Sequence, residues 1–214
     1  VVASQLHLVR HGEVHNPGHV LYGRLPGFGL SDLGRQIAEQ AADELRQRDR
    51  PVSALFASPL QRAQESAEPL ARVFDLTVQT ESRIIEPTNR FEGMSPATQR
   101  AVLRKPQNWW WMWNPLLPSW GEPYRSITTR MIAAMHDAYD SVDGGDVVMV
   151  SHQLPIWSTH LAITGQRLWH DPSKRRCNLS SITSFERRGS RFVEVGYEDP
   201  AAVLLASAVD DGAV

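Results

Sequence analysis

Short apolar runs alternate along the chain with longer stretches in which apolar residues recur every three or four positions. Runs at 6–10, 54–57, 76–79, 147–151 and 181–185 are rich in Val, Leu, Ile and Ala and read as buried strands. A last run at 191–196 is suited to antiparallel pairing. Between the strands, Leu33, Ile37, Ala41 and Leu45 recur on one helix face behind Ser31, whose hydroxyl is placed to cap it. A second helix is expected over 63–74, and a third over 127–139, where Ile127, Met131, Ala134, Met135 and Ala138 fall at helical intervals. Strands alternating with helices predict an α/β fold, a three-layer α/β/α sandwich built on a mostly parallel sheet. The length of 214 residues fits a single domain, and neither a linker nor an internal repeat interrupts it.

Three of the strand runs end in residues able to do chemistry. The first stops abruptly at Arg10-His11-Gly12-Glu13. In α/β proteins ligands collect at the carboxyl ends of strands, so His11 is expected at a binding crevice. Arg10 carries a permanent charge on a planar fork suited to phosphate oxygens, and a cation beside an imidazole keeps that ring neutral and nucleophilic. The second run ends in Ser58-Pro59-Leu60-Gln61-Arg62. With Ser58 as N-cap and Pro59 at the first helical position, Arg62 lies near the positive end of a helix dipole. The third ends in Val150-Ser151-His152-Gln153, with Pro155 helping to start a helix. Two histidines and two arginines at three strand ends point to phosphoryl transfer through histidine.

The segments Leu8-Val9-Arg10-His11-Gly12-Glu13, Ser58-Pro59-Leu60-Gln61-Arg62-Ala63, Phe91-Glu92-Gly93 and Val150-Ser151-His152 stand in an order and spacing that resemble the histidine phosphatase, or phosphoglycerate mutase-like, superfamily. The resemblance spans residues 5 to 165 and implies the phosphoglycerate mutase-like fold. It also implies that His11 is phosphorylated in turnover, that Arg10, Arg62 and His152 bind the phosphate, and that neither metal nor cofactor is needed. The chain departs from the family pattern in places. Gln153 and Leu154 stand where two glycines are usual, which puts Gln153 beside the substrate. Asn16, a candidate phosphate ligand, comes five residues after His11, and Pro17 takes the sixth position, where the family places Asn. The loop Gly23-Arg24-Leu25-Pro26-Gly27 resembles one that faces substrate in relatives, making Gly23 and Arg24 candidates for binding it, Arg24 through a second anionic group. Glu86 is the candidate general acid, in a motif one residue tighter than the commoner one and with Arg90 where glycine is frequent; Glu92 and Glu13 are its rivals.

The chemistry follows from these residues. Neutral His11 attacks phosphorus through one ring nitrogen while the other donates to a nearby carbonyl. Arg10, Arg62 and a protonated His152 are expected to offset the charge on the transferring group. Glu86 protonates the leaving oxygen and then activates water against phosphohistidine. Burial beside Ile85 and Pro87 is expected to raise its pKa for the first of these tasks. The reading is a metal-independent phosphomonoesterase acting on a small phosphate ester. The alternatives are a mutase that returns the phosphoryl group to its substrate, and a weakly catalytic phospholigand-binding protein, which Gln153-Leu154 and the tight acid motif suggest.

A formal net charge of −2 and a pI near 6.5 argue against a nucleic-acid partner, and Lys174-Arg175-Arg176 reads as a solvated surface cluster. Cys177 is the lone cysteine, so no intrachain disulfide forms and no Cys/His cluster has metal-ligand spacing. Residues 1–5 lack the features of a signal peptide, and no apolar run of about 18 residues is present. A cytoplasmic protein without membrane contact is expected. His136, His160 and His170 read as packing or surface residues, and His7 as facing away from Leu6 and Leu8. A tryptophan-rich insertion at about 105–123 packs five of the seven tryptophans into the twelve residues 109–120. Its prolines exclude one continuous helix. It is either an apolar lid that selects the alcohol part of the substrate or closes a homodimer, or ordinary core.

Overall fold

Strand β1 (Leu6–Arg10) is buried at every position, and both of its edges are paired. In this computed structural model, which describes residues 2–111 and 120–210, β4 (Asp146–Ser151) runs parallel to β1 on one side. On the other side β5 (Ile182–Arg188) runs antiparallel. With β2 (Val52–Ala57), β3 (Val78–Thr80) and β6 (Arg191–Glu198), they form a six-stranded mixed sheet of order β3-β2-β4-β1-β5-β6. The four strands β1 to β4 are parallel, as the mostly parallel expectation requires. The last strand β6 pairs antiparallel with β5, as expected, and because β5 is itself antiparallel to β1, β5 is the one strand of this sheet that runs against the others.

Alternate residues of a strand point to opposite faces, and both faces here are apolar. Val9, Leu55, Ala57, Val148 and Val150 pack against Ala41, Ala42 and Leu45 of α1 (Asp32–Gln47) and Ala63, Ala67 and Leu70 of α2 (Gln61–Phe74). Leu6, Leu8, Val147 and Met149 pack against Ile127, Met131, Ala134 and Met135 of α4 (Tyr124–Asp140) and Ile156 of α5 (Gln153–Ile163). The result is the three-layer sandwich. A further helix, α3 (Pro96–Leu103), buries no residue. Ser31 caps α1 as expected, its hydroxyl accepting from the Gly34 N–H. Among the described residues no helix is long and apolar enough to cross a membrane.

Two local expectations need correction. Helix α2 begins at Gln61 behind Leu60, so Ser58 is not its N-cap and Pro59 is not its first residue; the Ser58 hydroxyl serves another partner, described below. Strand β3 starts at Val78 and not at Leu76. Asp75 takes a left-handed conformation (φ 51°) and the Leu76 N–H still bonds the Ala71 carbonyl, so the chain is not extended until later. Residues 112–119 of the tryptophan-rich insertion lie outside the described residues. Its distal end is tied back by a bridge between Asn89 and Gly121.

The turn that carries His11 is seated by a contact only glycine permits. A Cβ on Gly12 would stand 2.3 Å from the Gly34 carbonyl oxygen, and one on Gly34 would stand 2.0 Å from the Glu13 carbonyl oxygen. Both obstacles are backbone, so no rotamer change relieves them. Gly34→Ala is therefore expected to cost at least the ~1–3 kcal/mol typical of overpacking, lowering the melting midpoint by several degrees; a thermal melt indistinguishable from wild type would refute this seating.

Candidate active site

Register sets the site. Arg10 pairs with Ser151 and Ala57 with Val150, so the carboxyl ends of β1, β4 and β2 stop side by side. The His11 and His152 rings lie 5.1 Å apart, and His152 Nε2 is 2.7 Å from Ser58 Oγ. Arg62 enters from the first turn of α2. Its Nε–H donates to His11 Nε2 at 3.3 Å, its Nη2 donates to the Gly23 carbonyl at 2.7 Å, and its guanidinium lies 4.7 Å from the centre of the Tyr22 ring. The Ser66 hydroxyl donates to the Arg62 carbonyl at 2.7 Å and accepts from the Gly12 N–H at 3.0 Å, joining the helix to the histidine-bearing turn.

Hydrogen bonding assigns the tautomer of His11. Its Nδ1 is 2.8 Å from the Gly12 carbonyl, an acceptor only, so the proton sits on Nδ1 and the lone pair on Nε2. Burial, and then the charges of Arg62 and Arg10, hold the His11 pKa well below its ordinary value. His152 is likewise held neutral, by burial and by Arg62. The expected protonated His152 is thus corrected: a further positive charge is disfavoured in a dry site that already contains the guanidinium groups of Arg62 and Arg10. Glu86 is 2 % exposed, and its Oε2 is 3.5 Å from His152 Nδ1. Burial pushes its pKa up to about 7 against the opposing pull of Arg62, Arg175 and Arg10. Glu86 Oε1, His152 Nδ1 and Arg10 Nε are buried without a hydrogen-bond partner among the described residues. Such unpaired buried atoms are rare, and three in one cluster suit a polar ligand.

The other anticipated residues divide. Gly23 belongs to the cluster through its carbonyl; its φ is +40°, and a Cβ there would strike the Glu92 carboxylate. Arg24 donates to the Glu86 carbonyl and lies 3.7 Å from the Glu122 carboxylate, so it braces the acid's backbone. Asn16 uses its amide on Val20, donating to the carbonyl at 2.9 Å and accepting from the N–H at 3.2 Å. Gln153 accepts from Arg175 at 3.1 Å. Glu13 accepts from the Ser31 hydroxyl and the Val209 N–H, and Glu92 accepts from the Asn89 N–H. Both have structural duties that Glu86 lacks. His7 bonds Ser184 and Asp146, and His160 pairs with Glu194, as packing residues do.

Arg175 was misread as surface. It is only 9 % exposed, bonds His170 Nε2 at 2.9 Å, and acts electrostatically on Glu86. The alternation of buried Arg175, Cys177 and Leu179 with exposed Arg176 and Asn178 is an extended-strand pattern that could have identified it. Also unforeseen is Asp210, whose carboxylate lies on the Arg10 guanidinium. Among the described residues no group of three or more His, Cys, Asp or Glu is arranged to hold a metal.

A model of the histidine phosphatase superfamily (branch 1) matches residues 6–200. An uncharacterized protein of Mycobacterium tuberculosis is 51% identical over 200 residues, covering 94% of this chain and 98% of that protein. Phosphoserine phosphatase 1 of Hydrogenobacter thermophilus is 29% identical over 209 residues, covering 94% and 90%. Among solved structures, a mycobacterial glucosyl-3-phosphoglycerate phosphatase complexed with VO3 has a TM-score of 0.74 at 24% identity, with 90% of this chain and 97% of that one covered.

The raised pKa of Glu86 makes a stability prediction whose sign is fixed. A carboxyl that ionises near 4.5 when unfolded and near 7 when folded stabilises the fold fully below the first value, and that contribution is lost as pH rises through the second. Glu86→Gln removes the titration, so the variant should gain stability relative to wild type between those values and keep a constant advantage above them. Parallel denaturant titrations across that range check this, and curves of constant separation would show that Glu86 titrates normally.

Proposed function

This chain belongs to the histidine phosphatase superfamily, and from that premise we propose that it is a phosphomonoesterase working through a phosphohistidine on His11. The observation that carries the reading is the His11 tautomer: Nδ1–H is held by the Gly12 carbonyl, and the Nε2 lone pair points to Arg62. A phosphate ester entering there takes over the Arg62 donor and presents phosphorus to Nε2. The new N–P bond forms as the P–O bond to the alcohol breaks. The proton of Glu86 passes to the departing oxygen, which a carboxyl with a pKa of about 7 can supply at neutral pH. The ionised Glu86 then takes a proton from water as it attacks phosphorus, returning His11 to its neutral form. Arg10 and Arg62 supply fixed charge to the equatorial oxygens, and each preorganised contact of this kind is worth on the order of 2.7–4 kcal/mol of barrier. His152 contributes as a neutral donor or acceptor fixed by Ser58.

The leaving alcohol faces Glu86, where Arg24, Gln153 and Arg175 gather. This supports an alcohol part that carries its own acidic group, the kind of compound named for the phosphoserine and glucosyl-3-phosphoglycerate phosphatases among the relatives. The tie between Asn89 and Gly121 brings one end of the tryptophan-rich insertion to the Glu86 loop and supports its role as a lid over that alcohol.

Hydrolysis of an aryl phosphate, assayed with chelator present, tests the central claim. His11→Ala is expected to lower kcat on the order of a thousandfold or more and to abolish trapping of labelled phosphate on the protein. Wild-type kcat is expected to fall as pH rises through about 7, following the loss of the Glu86 proton. Unchanged turnover in His11→Ala would eliminate the phosphohistidine route.

A further inference from the structure

Arg10 is 0 % exposed although it carries a permanent charge, and a buried guanidinium needs a counter-charge. The counter-charge here comes from Asp210, near the far end of the chain. Nη1 donates to Asp210 Oδ2 at 2.8 Å and to the Cys177 carbonyl at 2.7 Å, and Nη2 donates to Asp210 Oδ1. Two parallel N–H bonds to two oxygens of an anion are the same arrangement a guanidinium offers to phosphate. We propose that Asp210 is a built-in competitor of phosphate, holding the Arg10 fork while the site is empty and leaving it when phosphate arrives. This rests on the reading of Arg10 as a phosphate ligand.

The segment that carries Asp210 is docked at more than one point. Leu204, Leu205 and Ala208 pack against the apolar cluster of Ile37, Leu179 and Ala201. The Val209 N–H donates at 2.6 Å to Glu13 Oε1, two residues beyond His11. The Asp210 side chain is itself 40 % exposed, so it has a route back to water that Arg10 lacks. Its charge also reaches Tyr22, the ring beneath Arg62. An anion occupying that fork must displace Asp210, so its apparent affinity is reduced by the fraction of molecules in which the tail has already left.

Two variants of the full chain separate the contributions. Asp210→Asn removes the competing charge and keeps the shape. Val209→Pro removes the N–H that latches the tail to Glu13 and leaves the carboxylate in place. Titration calorimetry with inorganic phosphate is expected to give a Kd lower by about tenfold for Asp210→Asn and by a smaller factor for Val209→Pro. The KM for an aryl phosphate should fall in step, with kcat little changed. Phosphate affinity that is unchanged in both variants overturns the proposal. Weaker affinity overturns it too, and would make Asp210 a residue that aims Arg10 at its ligand. Phosphate binding without turnover in wild type would overturn the phosphatase reading alone, and absence of phosphate binding in all three proteins would overturn both.

Discussion

The parallel pairing of β1 with β4, with Arg10 opposite Ser151, is the constraint on which the site depends. It brings two histidines from opposite halves of the chain to neighbouring positions and aligns Ser58 with them through β2. Side-chain direction in a strand alternates, so a slip of one residue would turn every apolar side chain to the wrong face. Leu6 and Leu8 are committed to the α4 and α5 side, Val9 to the α1 and α2 side, and the residues of β4 are divided in the same way. The apolar alternation that builds the core thereby fixes the relative positions of groups that contribute nothing to it. The Gly12 and Gly34 contact and the shared Ser66 hydroxyl extend this fixity from the sheet into the turn and the helix that supplies Arg62.

Burial then sets the protonation states. The same removal from water that makes an imidazole hard to protonate makes a carboxyl hard to ionise, and guanidinium alone stays charged throughout. His11 and His152 are accordingly neutral while Glu86 keeps its proton to about pH 7, although they are close to one another. One physical cause therefore supplies a nucleophile with a free lone pair and an acid with a proton to give.

Much of this was legible in the sequence because periodicity reports burial. The strands, the faces of α1 and α4, and the strand-end positions of His11 and His152 follow from local apolar spacing, and the identity of the four motif residues follows from their order. What was illegible depends on contacts distant along the chain. Ser58 followed by proline is a good local helix start, yet the hydroxyl is taken by His152, a partner 94 positions away. Arg175 sits in a basic triplet that composition alone assigns to solvent. Asp210 bonds a residue 200 positions earlier. The protonation of His152 was misjudged for a related reason: a positive charge looks useful to a phosphate site, but the cost of placing it there depends on how many other cations the fold has already buried.

The basic residues of the chain are arginines apart from Lys105 and Lys174, both exposed, and every cation gathered around His11 and Glu86 is a guanidinium. Amines can be acylated, and ε-ammonium groups lose their charge in alkaline solution or under acetylation. A site charged only by guanidinium is indifferent to both. Lysine acetylation in a cell, or amine-directed labelling and surface coupling at the bench, would alter the outside of this protein and leave the charge of its site intact.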